Sequence, residues 1–260
     1  MYLDFLFDVF NEFENSDSII WMDTKHSYKS LIKNIEKSQL LIDSHQIQPG
    51  TVVAVIGDFS PNSIALLLAL IEKACIIVPL TRTSNENENK LFDIAQVESV
   101  FRIDGKDVIT SEFSSKISTN NYYEVIKQRE HPGLVLFTSG TSGEPKAAVH
   151  DFLVLLEKFK TRRKALRTLN FLLFDHWGGL NTMFHIISNG GTVIATNDRN
   201  PENVCKLIEL HQIELLPASP TFLNLMLLSG AHENYDMSSL EIISYGTEPM
   251  PESTLKRLKI

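Results

Sequence analysis

Two near-continuous apolar runs, residues 51–56 and 75–79, bracket a segment of helical character that opens at Pro61. This pattern constrains the fold more than any other feature of the chain. A run of Val and Ile without polar alternation is the mark of a strand covered on both faces. Strand, helix and strand in that order predict a parallel α/β unit, closed by a right-handed crossover. The pattern continues with a helix over 85–95, strands over 99–103 and 107–109, a helix over 124–129 and a strand at 134–136. Further on, strands are expected at 169–174, 192–195 and 239–244, and helices at 151–164, 180–187, 201–211 and 221–228, with residues 215–220 joining the last two helices. Before the first run lie a helix over 2–14, a short strand over 18–22 and a helix over 27–45. The fold class is therefore α/β, as two subdomains with mostly parallel sheets flanked by helices. Residues 114–123, rich in Ser, Asn and Thr, form the expected linker between a first subdomain, 1–123, and a second, 124–260.

The densest chemistry sits between apolar segments at Thr138-Ser139-Gly140-Thr141-Ser142-Gly143-Glu144-Pro145-Lys146. Glycines let the backbone approach a ligand, hydroxyls and N–H groups donate to phosphate oxygens, and lysine adds a point charge. The usual nucleotide loop, G-x-x-x-x-G-K-[ST], does not fit, because Pro145 stands where its second glycine belongs and Ala147 follows the lysine. The dinucleotide pattern fails as well, since Gly140 and Gly143 have no third glycine in register. Pro145 turns Glu144 away from helical geometry, so the loop is expected to cross between strands. Two further loops follow apolar strands and carry unusual residues: Asp175-His176-Trp177-Gly178-Gly179 and Tyr245-Gly246-Thr247-Glu248-Pro249. Carboxyl ends of strands are where α/β folds place their ligand sites.

Other classes are disfavoured. A formal charge of −8 argues against a nucleic-acid surface, and the basic run 158–164 lacks an aromatic platform and is expected on the outer face of a helix. Cys75 and Cys205 show neither metal spacing nor a disulfide framework, and no metal ligands are assigned. No G-x-S-x-G elbow or pairable carboxylates are visible. Acidic residues at the N-terminus and the lack of a long apolar stretch predict a cytoplasmic protein with no membrane span.

Taken together, these three loops resemble the adenylate-forming (AMP-binding) enzymes: acyl-CoA synthetases, peptide-synthetase adenylation domains and luciferase relatives. The 138–146 segment matches that family's phosphate loop nearly position for position. Phe174-Asp175-His176-Trp177-Gly178-Gly179 looks like its aromatic or histidine segment, and residues 240–251 resemble the strand and loop around adenine. The resemblance implies that a carboxylate attacks the α-phosphorus of Mg-ATP, giving an acyl-adenylate and pyrophosphate, after which a thiol of CoA or of a phosphopantetheine carrier takes the acyl group. It assigns Thr138, Ser139, Gly140, Thr141, Ser142, Gly143 and Lys146 to the phosphates, and Tyr245, Gly246, Thr247 and Glu248 to the nucleotide. His176, Trp177, Gly178 and Gly179 fall to the acid, with Lys146 and His176 as catalytic residues. Phe174, Trp177, Met183 and Phe184 then hint at a small or flat acid.

The family's later Y-G-x-T-E motif, ribose-binding aspartate and mobile C-terminal domain do not occur within residues 1–260. The segment 1–260 therefore looks like an incomplete N-terminal domain of that fold, and the chemistry is expected to need a further C-terminal part. An acyl carrier protein and a second copy of the chain are the expected partners. The alternative is a catalytically inactive nucleotide- or acyl-binding module or an interaction fragment.

Overall fold

The computed structural model describes residues 1–113, 117–139, 144–246 and 248–258. They form two six-stranded sheets. The first has the order β6-β5-β3-β4-β7-β8, with β3 (Val52–Ile56), β4 (Ile76–Leu80), β5 (Ser99–Ile103) and β7 (Gly133–Ser139) parallel. Antiparallel β6 (Ile109–Phe113) and β8 (Pro145–Asp151) close its edges. The second sheet runs β12-β11-β9-β10-β1-β2, built from β1 (Asp17–Trp21), β2 (Thr24–Ser27), β9 (Arg167–Asn170), β10 (Thr192–Ala195), β11 (Leu215–Ala218) and β12 (Ile242–Tyr245). Only β2 is antiparallel there. The sheets do not divide the chain at residue 123: β1 and β2 join the strands of the second half, while β7 pairs with β4 of the first.

Period-two alternation explains how the layers stack. In β3, Val53 and Val55 point into the largest core cluster while Val52, Ala54 and Ile56 point into another on the opposite face. The largest cluster lies between the sheets and takes in α1 (Asp4–Glu12), α2 (Tyr28–Ser44), α3 (Pro61–Glu72) and α7 (Trp177–Ile187). Residues 64–71 of α3 are entirely buried, as an all-apolar helix requires. Outside the first sheet pack α4 (Asn85–Ala95) and α5 (Asn121–Gln128), and outside the second pack α8 (Pro201–His211) and α9 (Pro220–Ser229).

Helix starts follow from side-chain caps. Ser27, Ser60, Ser84, Asn120, Asn200 and Ser219 each accept a backbone N–H at a helix N-terminus. Pro61, Pro201 and Pro220 occupy first-turn positions where no N–H is missed. Three sequence expectations are corrected. Residues 215–218 form strand β11 instead of a connection, the strand expected to reach Phe174 ends at Asn170, and the helix expected over 151–164 is cut short, while residues 145–151 form β8, the second of the strands the glycine segment was expected to join. The helix after Asp151 is short, α6 (Phe152–Leu156), followed by a 3-10 turn over Glu157–Lys160.

Candidate functional site

The strands β7 and β8, on either side of residues 140–143 in sequence, form an antiparallel pair with Thr138 opposite Lys146 and Ser139 opposite Pro145. Gly140, Thr141, Ser142, Gly143 and Thr247 lie outside the described residues, as does the Ser139 side chain. Alternation along the pair sorts its side chains. Phe137, Ala147 and Val149 pack on the outer core, whereas Leu134 and Leu136 belong to the inner one. Lys146, Ala148 and His150 share the inner-facing register with Leu134, Leu136 and Thr138. Thr138 Oγ1 lies 3.5 Å from the Lys146 carbonyl, at the outer limit of a hydrogen bond. Lys146 is exposed and has no ion pair among the described residues, so its charge is available to an anion. Next to it, Glu144 is paired with Lys90 of α4.

Facing this pair across the space between the sheets is the turn that leads into α7. His176 is the N-cap of α7, and its Nδ1 accepts the Gly178 N–H at 3.1 Å. A ring nitrogen that accepts carries no hydrogen, so the neutral ring bears its proton on Nε2. The helix start therefore presets the tautomer and leaves Nε2–H as the donor. Asp175 fixes the same turn to the other sheet: its Oδ2 accepts from the Thr81 hydroxyl at 2.6 Å and from the Thr81 N–H at 3.2 Å, just beyond the end of β4. Thr81 escaped sequence reasoning because it is separated from Asp175 by most of the first sheet, and no local pattern marks it.

Between these elements lies a cavity of about 600 Å³, lined by Leu136, Phe137, Thr138, Ala148, His150, Leu155, Asp175, His176 and Trp177. The cavity thus brings Thr138, His176 and Trp177 together. Its walls are mostly apolar with a few convergent polar groups, the usual character of a small-molecule site. Gly178 and Gly179 are not among these lining residues. A Cβ on Gly179 would stand 2.1 Å from the Leu173 carbonyl oxygen, so that glycine allows α7 to pack against the preceding turn. Asn170, on β9, donates to the Gly179 carbonyl. Among the bulky residues expected around the acid, Phe174, Met183 and Phe184 are fully buried core. Phe184 packs against Phe152 and Phe159, and Phe174 against Phe59. Trp177 alone of that group reaches the cavity, with the Lys158 ammonium 5.1 Å from its ring.

The Tyr245 segment sits at the end of β12, on the edge of the second sheet. Tyr245 is half exposed, and Glu248 accepts the Thr221 hydroxyl at 2.6 Å, near the start of α9. These residues do not line the cavity. A smaller cleft of about 260 Å³ opens at the ends of β3, β4 and β5. Its charged groups are engaged within the protein: Arg199 with Asp58 at 2.6 Å, and Arg82 with the Ile103 carbonyl. Among the described residues no cluster of His, Cys, Asp or Glu could hold a metal ion by itself. No described helix is long and apolar enough to cross a membrane.

Comparison with known proteins agrees with this fold. A family model described as AMP-binding enzyme matches residues 6–260. Indoleacetate–CoA ligase of Aromatoleum aromaticum is 24% identical over 269 residues, covering 89% of this chain and 52% of the ligase. Bacitracin synthase 2 of Bacillus licheniformis is 24% identical over 224 residues, 80% of this chain but 9% of the synthase. The chain thus spans about half the length of the former and under a tenth of the latter. Among solved structures, the luciferase-like enzyme from the nonluminescent mealworm Zophobas morio superposes with a TM-score of 0.79 at 18% identity, over 99% of this chain and 68% of that one. The chain belongs to the AMP-binding enzyme family.

Proposed function

We propose that this chain supplies the nucleotide- and acid-binding part of an acyl-adenylate-forming ligase, which joins a carboxylic acid to AMP from ATP and passes the acyl group to a thiol of CoA or of a carrier protein. The observation that carries this reading is the convergence of the Thr138 and Lys146 strand pair with His176 and Trp177 on one cavity. Its relatives by sequence include a ligase named for indoleacetate and CoA and a synthase named for bacitracin, which supports acid activation as the shared chemistry.

The residues present suit a bound triphosphate. Lys146 offers an uncompensated cation beside the loop, and Thr138 a hydroxyl on the same register face. Fixed charge at that position stabilises negative charge as it grows on departing pyrophosphate. Magnesium would arrive with the triphosphate, whose oxygens, together with water, would supply its ligands. His176 lines the cavity with its Nε2–H uncommitted to the cap, so that it can donate to a carboxylate oxygen and keep the other oxygen aligned for attack. Asp175 and Thr81 hold that turn in register with the phosphate strands. Tyr245, Gly246 and Glu248 are assigned to the adenine side of the site.

The test is pyrophosphate exchange into ATP, measured with a C-terminal domain of the family supplied in trans, across a panel of aromatic and short aliphatic acids. Acid-dependent exchange is the expected result. A silent panel from a chain that still binds ATP would overturn ligation in favour of a binding module.

A further inference from the structure

The cavity holds one titratable group that the proposed reaction does not use. His150 lines it from β8, is half buried, and its side chain makes no hydrogen bond or ion pair among the described residues. Its placement is rigid. It sits in the β7–β8 ladder opposite Leu134, and the next residue, Asp151, is fixed by His131 at 2.9 Å, by Arg129 at 3.1 Å and by its role as the cap of α6. Most of the other lining side chains near it, Leu136, Phe137, Ala148, Leu155 and Trp177, offer no substitute partner for a polar group, Trp177 apart from its indole N–H. A ligand that fills the cavity would strip water from this half-buried ring, which is costly unless the ligand itself offers a partner.

We infer that His150 determines specificity, and that the acid activated is a compact planar one carrying a hydrogen-bonding substituent, such as a phenolic hydroxyl, at the end remote from its carboxylate. This rests on the function proposed above. Lys146 and His150 share one face of β8 four residues apart, which places them about 13 Å from each other along the strand. An acyl phosphate and a hydroxyl held on opposite sides of a single aromatic ring, with a hydrogen bond of about 3 Å at each end, span a similar length. A neutral imidazole offers one donor and one acceptor, and so can take either a phenol or a carbonyl. A saturated chain would leave His150 unpaired, and discrimination between substrates is greatest where a site is built to hydrogen-bond.

The experiment is calorimetric titration with two non-hydrolysable acyl-adenylate analogues, 4-hydroxybenzoyl and benzoyl, alongside AMP alone. The unsubstituted protein should prefer the hydroxylated analogue by about tenfold, the worth of one net hydrogen bond. In His150→Leu that preference should vanish while AMP binds as before, and His150→Gln should restore part of it. Equal affinity for the two analogues, or a preference that survives His150→Leu, overturns the inference while leaving adenylate formation intact. Failure of AMP and both analogues to bind the unsubstituted protein would overturn the underlying function, and this inference with it.

Discussion

His176 shows how much one residue settles here. Its Nδ1 is committed to the Gly178 N–H, so nitrogen NMR should find the neutral ring protonated on Nε2. An Nδ1–H tautomer would refute the cap. Substituting His176 by Asn keeps a cap of comparable quality but replaces the imidazole Nε2–H with a shorter amide that does not reach the Nε2 position. Acid-dependent exchange should therefore fall by on the order of a hundredfold with thermal stability little changed, as loss of a positioned hydrogen-bond donor commonly costs. Equal losses of both would make His176 a structural residue only. Asp175→Asn tests its neighbour. It weakens the two hydrogen bonds from Thr81, so the His176 ring should broaden in NMR and KM for the acid rise more than kcat falls. Local residue patterns revealed the glycine loop and the His-Trp pair because each sits in one short window. They did not reveal the Asp175–Thr81 tie, which links positions 94 residues apart, or the register that turns His150 into the cavity.

At the scale of elements, the strands legible in sequence were the buried parallel ones. Residues 99–103 and 192–195 were bounded as found, because both are buried strands, interrupted in the first only by the partly exposed Arg102. The edges were harder to read. Antiparallel β6 and β8 mix polar with apolar residues, β2 is wholly polar, and the β1–β2 turn is made by Met22 and Asp23 at positive φ in place of the usual glycine or asparagine. Pro217 likewise disguises β11. Two substitutions probe the elements that carry the site. Gly179→Ala places a methyl against the Leu173 backbone and should cost about 1–3 kcal/mol in unfolding free energy, read by urea titration. Asp151→Ala removes the α6 cap and should cost about 1 kcal/mol. Burial alone would raise the Asp151 carboxyl's pKa, but hydrogen bonds from His131 and Arg129 outweigh it and hold the group below the ordinary carboxylate range. Its contribution is thus present above that range and lost as pH falls through the depressed value. The stability gap between Asp151→Ala and the parent should close in acid, and a gap independent of pH would contradict this assignment.

At the scale of the whole molecule, the two sheets share the apolar layer that contains α3 and α7, so the turn at His176 and the phosphate strands meet across one continuous core. Cys75 lies in that layer and Cys205 beneath the second sheet. Burial pushes their thiols up to about 12 and about 11. A thiol reagent at neutral pH should leave both unmodified until the chain unfolds, and rapid labelling of the native protein would show that these cores are open. The α/β class and the three strand-end loops were readable because core and loop chemistry are written locally. The exchange of strands between halves was not, since pairing of β1 with β10 and β4 with β7 depends on contacts distant in sequence. The central claim is that the β7–β8 pair presents Lys146 to nucleotide phosphate. Calorimetric titration with ATP, comparing the parent with Lys146→Ala, tests it most directly: a loss of about tenfold or more in affinity is expected for a charge-assisted contact, and superimposable isotherms would contradict it.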